Sequence, residues 1–226
     1  MTRATEESDR RYIPALRLRA LTRFYDPAIR FTTREGTFKR RLLDQASIRP
    51  GDRVLDLGCG TGTLALLIKQ REPGAEVTGL DADPEILARA RAKAAAGEAE
   101  IRFDEGLSNR LPYEDEAYDA VVSTLFFHHL APPIKRQTVA EIARVLRPGG
   151  KLHVADWGRP SDPLMRTLSL SIRLLDGFEP TSDNLSGALP TIFEAAGLAN
   201  AGQTGRLRTV FGTLAFYRAE RPVSAA

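Results

Sequence analysis

An apolar strand that runs into three alternate glycines and then into a helix constrains this chain more than any other feature. The segment spans residues 54–63, and its glycines are Gly58, Gly60 and Gly62. Glycine adopts positive φ without strain and lets backbone N–H groups approach a ligand closely. The N-terminus of the following helix favours a negatively charged group such as a carboxylate or a phosphate. The sequence therefore predicts a βα unit whose connecting loop binds a ligand.

The chain beyond residue 50 alternates short apolar runs with helical periodicity, as parallel α/β units do. Strands are predicted at 54–57, 77–80, 101–103, 118–125, 151–155, near 207 and at 212–217. Later helices are expected around 134–146, 164–175 and 185–196, the first of them ended by Pro148-Gly149-Gly150. We predict a Rossmann-like, doubly wound α/β fold with a mostly parallel seven-stranded sheet and helices on both faces. Residues 1–45 are expected to form an N-terminal helical lid, and residues 46–226 the main domain.

Composition limits the class of protein. The chain has 226 residues, of which 42% are hydrophobic and 27% charged, so it can form a core and is not compositionally disordered. It contains no apolar run long enough for a transmembrane helix, and its first residues lack the apolar region of a secretory signal. Cys59 is the single cysteine, so no intramolecular disulfide can form. These features predict a cytoplasmic protein.

Positive charge is concentrated near the N-terminus. The net charge is only +3, yet residues 10–41 hold ten basic and two acidic side chains. Apolar side chains interleave with these charges, a pattern that suits both a helix packed over the site as a lid and a helix on an anionic surface. The alternative is that these charges form an ordinary solvent-exposed helix face. Contact with a membrane surface is a further alternative that we do not favour, and no nucleic-acid partner is predicted.

Two acids flank the glycine loop. A dinucleotide-binding fingerprint reads Gly-x-Gly-x-x-Gly, whereas this loop reads Asp-x-Gly-x-Gly-x-Gly from Asp56 onward. Asp56 would repel a pyrophosphate but suits a ligand that carries an ammonium group. Asp81 ends the second predicted strand, 23 residues after Gly58. An acid at that place can accept hydrogen bonds from both ribose hydroxyls of an adenosine.

With these residues, the chain resembles the class I S-adenosylmethionine-dependent methyltransferases. Three further segments, 80–83, 111–119 and 144–152, match that family's motifs in order and spacing, so the similarity covers about residues 45–156. The resemblance implies S-adenosyl-L-methionine as the cofactor and in-line transfer of its methyl group to an acceptor. The cofactor-binding residues that it implies are Tyr25, Asp56, Gly58, Cys59, Gly60, Gly62, Asp81, Ala82, Gly106, Leu107, Ser108 and Thr124.

The adenine side departs from the family's pattern. The family often has Gly-Asp-Ala where this chain has Gly106-Leu107-Ser108, and the missing aspartate is the residue that binds the adenine amino group. Adenine recognition is therefore expected to depend on backbone groups, Ser108 and apolar packing by Leu107. A shifted alignment would let Asp104 or Glu105 supply the acid.

His128 and His129 follow the fourth predicted strand, where the carboxyl ends of parallel strands open towards ligands. They are the candidate catalytic residues, because a histidine can act as a general base near neutral pH if the acceptor must lose a proton. The alternative for each is a histidine that braces the loop. Adjacent histidines do not share one face of a helix, so no metal site is predicted.

The class of acceptor is predicted mainly from missing motifs. The Asn/Asp-Pro-Pro-Tyr element of amino-group DNA methyltransferases is replaced by residues 123–126, Ser-Thr-Leu-Phe. The Pro-Cys nucleophile of cytosine C5 chemistry and the cysteines of arsenite methylation are absent too. Without these motifs, the chain resembles the group that contains quinone-ring C-methyltransferases and phospholipid N-methyltransferases. This resemblance implies a small organic acceptor. A non-catalytic S-adenosylmethionine-binding protein and a nicotinamide-dependent oxidoreductase are the rival hypotheses.

Overall fold

The computed structural model describes residues 35–223, which form one seven-stranded sheet with helices on both faces. The strands are β1 (Arg53–Leu57), β2 (Glu76–Asp81), β3 (Arg102–Glu105), β4 (Tyr118–Thr124), β5 (Leu146–Trp157), β6 (Ala199–Thr209) and β7 (Gly212–Glu220). The helices are α1 (Glu35–Ala46), α2 (Thr63–Arg71), α3 (Pro84–Ala96), α4 (Pro132–Val145), α5 (Pro163–Asp176), α6 (Phe178–Ser186) and α7 (Leu189–Ala195).

The sheet has the strand order β3-β2-β1-β4-β5-β7-β6. Strands β1 to β5 pair in parallel, and β7 joins antiparallel between β5 and β6. The predicted fold class is therefore confirmed. The strand order reverses direction between β1 and β4, and at such a switch point the loops beyond the carboxyl ends diverge and leave a crevice for a ligand. The glycine loop lies beside this crevice.

Two apolar clusters pack against opposite faces of the sheet, because successive side chains of a strand point to opposite sides. Phe38 of α1, Ile68 of α2 and Leu87 of α3 belong to one cluster. Val139 of α4 and Phe193 of α7 belong to the other. Among the described residues, no helix is both long and apolar enough to cross a membrane.

Helix α1 overlaps the end of the segment predicted as a lid. Phe38 and Leu42 are fully buried, so this helix is part of the layer that covers the sheet. The rest of the predicted lid, including Tyr25, lies outside the described residues.

Two element boundaries differ from the sequence-based prediction. Strand β5 begins at Leu146, because Pro148-Gly149-Gly150 continues as an irregular part of the strand. Gly149 has a φ of 76°, which glycine adopts without strain. The predicted helix 185–196 is divided into α6 and α7 because Gly187 ends α6 with a left-handed φ of 83°.

Candidate functional site

The glycine loop connects β1 to α2 at the carboxyl edge of the sheet. Its three glycines all have left-handed backbone angles, with φ of 69° at Gly58, 53° at Gly60 and 71° at Gly62. The N–H groups of Gly58 and Cys59 donate to the carbonyl oxygen of Leu80 at 2.9 and 3.0 Å, which ties the loop to β2. The loop is thus a fixed part of the sheet edge.

The three glycines meet different surroundings. A Cβ atom at Gly58 would overlap the Phe126 ring, and one at Gly62 would lie 2.9 Å from Cζ of Phe103. A Cβ at Gly60 would have no atom of the described chain within 4 Å. Gly58 and Gly62 are therefore required by protein packing, whereas Gly60 borders open space in which a ligand can approach the backbone.

Asp56 at the end of β1 has an unused acceptor. The carboxylate is 1% exposed, and Oδ2 accepts a hydrogen bond from the Ala65 N–H at 3.0 Å. Oδ1 is buried and has no hydrogen-bond partner among the described residues. Burial raises the pKa of Asp56 to about 7, against the opposing charge of Lys39. Because an unsatisfied buried acceptor is costly, this oxygen fits a donor from a ligand, such as an ammonium group.

Asp81 at the end of β2 joins the second strand to the glycine loop. Its Oδ2 accepts from the Gly60 N–H at 2.9 Å, and Oδ1 accepts from the Asp83 N–H at 3.1 Å. Burial raises the pKa of Asp81 above its ordinary value, although these backbone donors oppose the shift. A carboxylate has about four lone-pair sites, so the half-buried Asp81 can also accept from hydroxyl groups. Asp83 is engaged differently, since it caps α3.

Cys59 is unsuited to nucleophilic chemistry. The side chain is buried, and its thiol contacts the carbonyl oxygen of Gly60 at 3.7 Å. Burial raises the pKa of the Cys59 thiol far above its usual range, and the negative charges of Asp56 and Asp81 add to the shift. The thiolate that would attack an electrophile is therefore disfavoured.

The predicted adenine side offers fewer polar side chains than the sequence suggests. The Ser108 hydroxyl is buried and hydrogen-bonded to Oγ1 of Thr138 at 2.8 Å, so its placement gives no support to a direct contact with adenine. Asp104 accepts a hydrogen bond from the Tyr113 hydroxyl and pairs with Arg102. Leu107 is 42% exposed and is free to pack against a planar ring.

The other predicted cofactor residues lie along the same edge. The Gly106 N–H donates to the Asp81 carbonyl oxygen at 3.0 Å, which holds the loop after β3 beside β2. Ala82 and Thr124 are half-buried at the carboxyl ends of β2 and β4. The structure therefore brings all of the predicted cofactor residues in the described part of the chain to one edge of the sheet.

Asp156 organises the turn after β4. It is fully buried, and its Oδ2 accepts from the N–H groups of Phe126 at 3.0 Å and Phe127 at 2.7 Å. Its Oδ1 accepts from the Trp157 N–H at 2.7 Å and pairs with Nδ1 of His128 at 2.6 Å. Four donors thus converge on one carboxylate, which fixes the 3₁₀ turn Phe127–His129.

The two candidate catalytic histidines have opposite electrostatics. Burial alone would lower the pKa of His128, but the negative charge of Asp156 and its hydrogen bond outweigh burial and raise this pKa above 6.5. Burial and the neighbouring His128 lower the pKa of His129 to about 3. His128 therefore holds a proton more readily than a free imidazole and braces the turn through Asp156, whereas the half-buried His129 is neutral at neutral pH.

Sequence reasoning missed two acids and an aromatic contact. Asp156 carried a usable signal, because it follows the predicted fifth strand beside the histidines. Asp176 ends α5 and approaches both histidines, at 3.7 Å from Nε2 of His128 and 3.8 Å from Nδ1 of His129. No local sequence pattern predicts the contact of Asp176 with the histidines, since it depends on the tertiary placement of α5. The Phe126 ring under Gly58 is equally a product of tertiary packing.

Comparison with known proteins agrees with this geometry. Residues 54–150 match a family model described as a methyltransferase domain. The chain is 45% identical over 123 residues to a demethylmenaquinone methyltransferase of Thermus thermophilus, covering 54% of this chain and 55% of that protein. A demethylmenaquinone methyltransferase of Deinococcus radiodurans is 39% identical over 127 residues, covering 56% of this chain and 52% of that protein. The chain thus spans about half the length of the curated relatives that it matches.

A solved structure shares the fold. A SAM-dependent methyltransferase from Aquifex aeolicus superimposes with a TM-score of 0.63 at 19% identity, covering 81% of this chain and 89% of that one. The matched domain contains both the glycine loop and Asp81, so the sequence match and the shared fold concern the same edge of the sheet. Residues 54–150 thus match a methyltransferase domain, and the chain shares its fold with a solved SAM-dependent methyltransferase.

Proposed function

We propose that this chain transfers a methyl group from S-adenosylmethionine to a small, lipid-like ring acceptor. The observation that carries the proposal is the junction of Asp81 with Gly60, beside open space over the loop backbone. Asp81 would accept from the ribose hydroxyls of the cofactor. The unpaired Oδ1 of Asp56 would accept from its ammonium group. The residues present therefore suit the cofactor at both of its polar ends.

The chain's own contribution to the reaction is positioning. S-adenosylmethionine supplies a methyl group already activated on a sulfonium, so alignment and exclusion of water account for most of the rate gain. Leu107 would pack on the adenine, while the glycine loop fixes the methionine part. If the acceptor must lose a proton, the predicted bases His128 and His129 both lie at the carboxyl edge, and the pKa of about 3 makes His129 the weaker base of the two.

The proposed acceptor class depends on relatives that match about half of their length. Two of them are named demethylmenaquinone methyltransferases, which supports a quinone-type ring as the first acceptor to test. The rival that binds the cofactor without catalysis predicts a different outcome. Such a protein would bind S-adenosylmethionine and transfer no labelled methyl group to a reduced demethylated naphthoquinone or to a phospholipid amine.

The binding role of Asp81 is tested by replacing it with alanine. Hydrogen bonds to a charged group contribute roughly 1.5–3 kcal/mol each, so Asp81→Ala should weaken S-adenosylmethionine binding by at least about tenfold. Titration calorimetry measures this change, with NAD as the ligand expected not to bind. A 2′-deoxy analogue should lose affinity for the wild type but lose little more for the variant.

Asp83→Ala is the matched control, because Asp83 lies two residues away and caps α3. Loss of this cap should lower the free energy of unfolding by about 1 kcal/mol and leave cofactor affinity nearly unchanged. If Asp81→Ala still discriminates the 2′-deoxy analogue as the wild type does, Asp81 does not bind the ribose.

A further inference from the structure

We propose that His128, His129 and Asp176 form a binding site for one divalent transition-metal ion of the zinc type. The three side chains each offer one ligand atom, and these atoms all lie within 4.8 Å of one another. The site lies beyond the carboxyl ends of β4 and β5, separate from the glycine loop. Imidazole nitrogens combined with a carboxylate oxygen suit zinc and its neighbours in the transition series.

The spacing of the ligand atoms argues for a shared ion rather than direct contact. Asp176 Oδ2 lies 3.7 Å from Nε2 of His128, and Oδ1 lies 3.8 Å from Nδ1 of His129. Both distances are too long for a hydrogen bond. Two ligands of a tetrahedral ion, each about 2.1 Å from the metal, are separated by about 3.4 Å. Each observed separation exceeds that value by only a few tenths of an ångström, although the two involve different oxygens of Asp176. With one ligand atom per residue, all three atoms lie within 4.8 Å of one another.

The side chain of Asp176 is 9% exposed, and among residues 35–223 its polar contacts are the two long ones to His128 and His129. The buried Lys135 is engaged by Pro180, Asn184 and Asp183. A carboxylate this well buried is costly unless it is paired or bound to a metal. A cation held between Asp176 and the two histidines would satisfy it.

Asp156 supplies the support that metal-binding histidines usually have. It pairs with Nδ1 of His128 at 2.6 Å, so an Nδ1–H donated to Asp156 leaves the lone pair on Nε2 directed at Asp176. A carboxylate on the second ring nitrogen fixes the tautomer of a metal-binding histidine and increases its basicity. Asp156 is therefore the proposed positioning residue of the site.

The 3₁₀ turn removes the objection that adjacent histidines point apart. The rings of His128 and His129 have centroids 3.9 Å apart and an interplanar angle of 42°, so they lie side by side. Three protein ligands leave a fourth position for water or for an oxygen of a bound molecule. If this molecule is the methyl acceptor, the inference rests on the proposed function. Metal binding itself does not depend on that function.

The test is zinc binding by the full-length, untagged protein after treatment with a chelator, in the absence of cofactor and acceptor. Titration calorimetry with Zn²⁺ should give one site per chain. Asp176→Asn and His129→Gln should each weaken binding by at least tenfold, and Asp156→Asn by 10–100-fold, the range measured for such supporting residues. Zn²⁺ should also raise the Tm of the wild type, whereas Mg²⁺ should not.

His153→Gln is the matched control, because His153 is the third of three histidines and lies on β5 next to Gln45. It should bind Zn²⁺ as the wild type does. Circular dichroism establishes that each variant is folded, and Co²⁺ spectra of the wild type report the coordination number independently of any variant. Absence of a one-to-one site in the wild type, or unchanged affinity in folded Asp176→Asn and His129→Gln, would overturn the proposal.

Discussion

The two halves of the carboxyl edge are built by different means. Beyond β1 and β2, the loop is shaped by backbone: three left-handed glycines, with Asp81 accepting from the Gly60 N–H. Beyond β4 and β5, the turn is shaped by side chains, since Asp156 collects three backbone donors and His128. The first half leaves acceptors open to a ligand, whereas the second satisfies its central carboxylate within the protein.

Because of this difference, substitutions in the first half should mainly affect ligand binding, whereas substitutions in the second half should mainly affect stability. A half-buried acid with spare lone pairs can be removed at modest cost to the fold, whereas a buried acid with four donors cannot. The halves meet at Phe126, whose N–H donates to Asp156 and whose ring packs under Gly58. Damage to the second half should therefore reach the cofactor loop, while damage to the first should stay local.

The largest expected effect follows from Asp156→Ala. Removing one partner of a buried ion pair leaves the other uncompensated, so the free energy of unfolding should fall by about 3–5 kcal/mol. Urea denaturation measures this loss, with Asp81→Ala as the comparison expected to change it little. Equal losses in the two variants would contradict the division between the halves.

The next effect concerns Gly60→Val. A β-branched side chain at a φ of 53° is strained, and it would fill the open space over the loop. Cofactor binding should weaken at least about a hundredfold, or roughly 2.7 kcal/mol. Gly51→Val is the control, because Gly51 also combines a positive φ, 83°, with open space but precedes β1 at its other end. It should lose similar stability and keep cofactor affinity, and equal binding losses would show that strain alone is responsible.

The smallest effect is a pH dependence from His128. Its pKa is raised above 6.5 in the folded protein, so its stabilising contribution is fully present below pH 6.5 and is lost as pH rises through the folded pKa. His129 acts in the opposite direction, because its pKa is lowered to about 3 and its neutral form is favoured by folding. The difference in free energy of unfolding between His129→Gln and the His128→Gln/His129→Gln double variant should therefore decrease as pH rises above 6.5. A difference that stays constant would mean that folding does not raise the pKa of His128.

The half beyond β1 and β2 could be predicted from the sequence because its chemistry is local. A strand, three glycines and a helix occupy ten consecutive residues, and positive φ with close backbone approach is a property of glycine itself. Asp56 and Asp81 are placed by strand ends, and parallel strands bring their carboxyl ends to one edge. The same reasoning missed that the Ser108 hydroxyl is taken up by Thr138, because that contact joins residues far apart in the chain.

The sequence by itself determined the alternation of strands and helices, the glycine loop and the two acids at the strand ends, since each depends on a short-range periodicity or on one residue's backbone preference. Only the tertiary structure decided what surrounds the histidines. Asp156 comes from the neighbouring strand and Asp176 from the end of α5, so their distances to His128 and His129 depend on how separate elements pack. Burial lowers the pKa of both histidines, and the hydrogen bond and charge of Asp156 reverse that shift for His128. Burial and this contact both arise from tertiary packing, so no local sequence pattern predicts them.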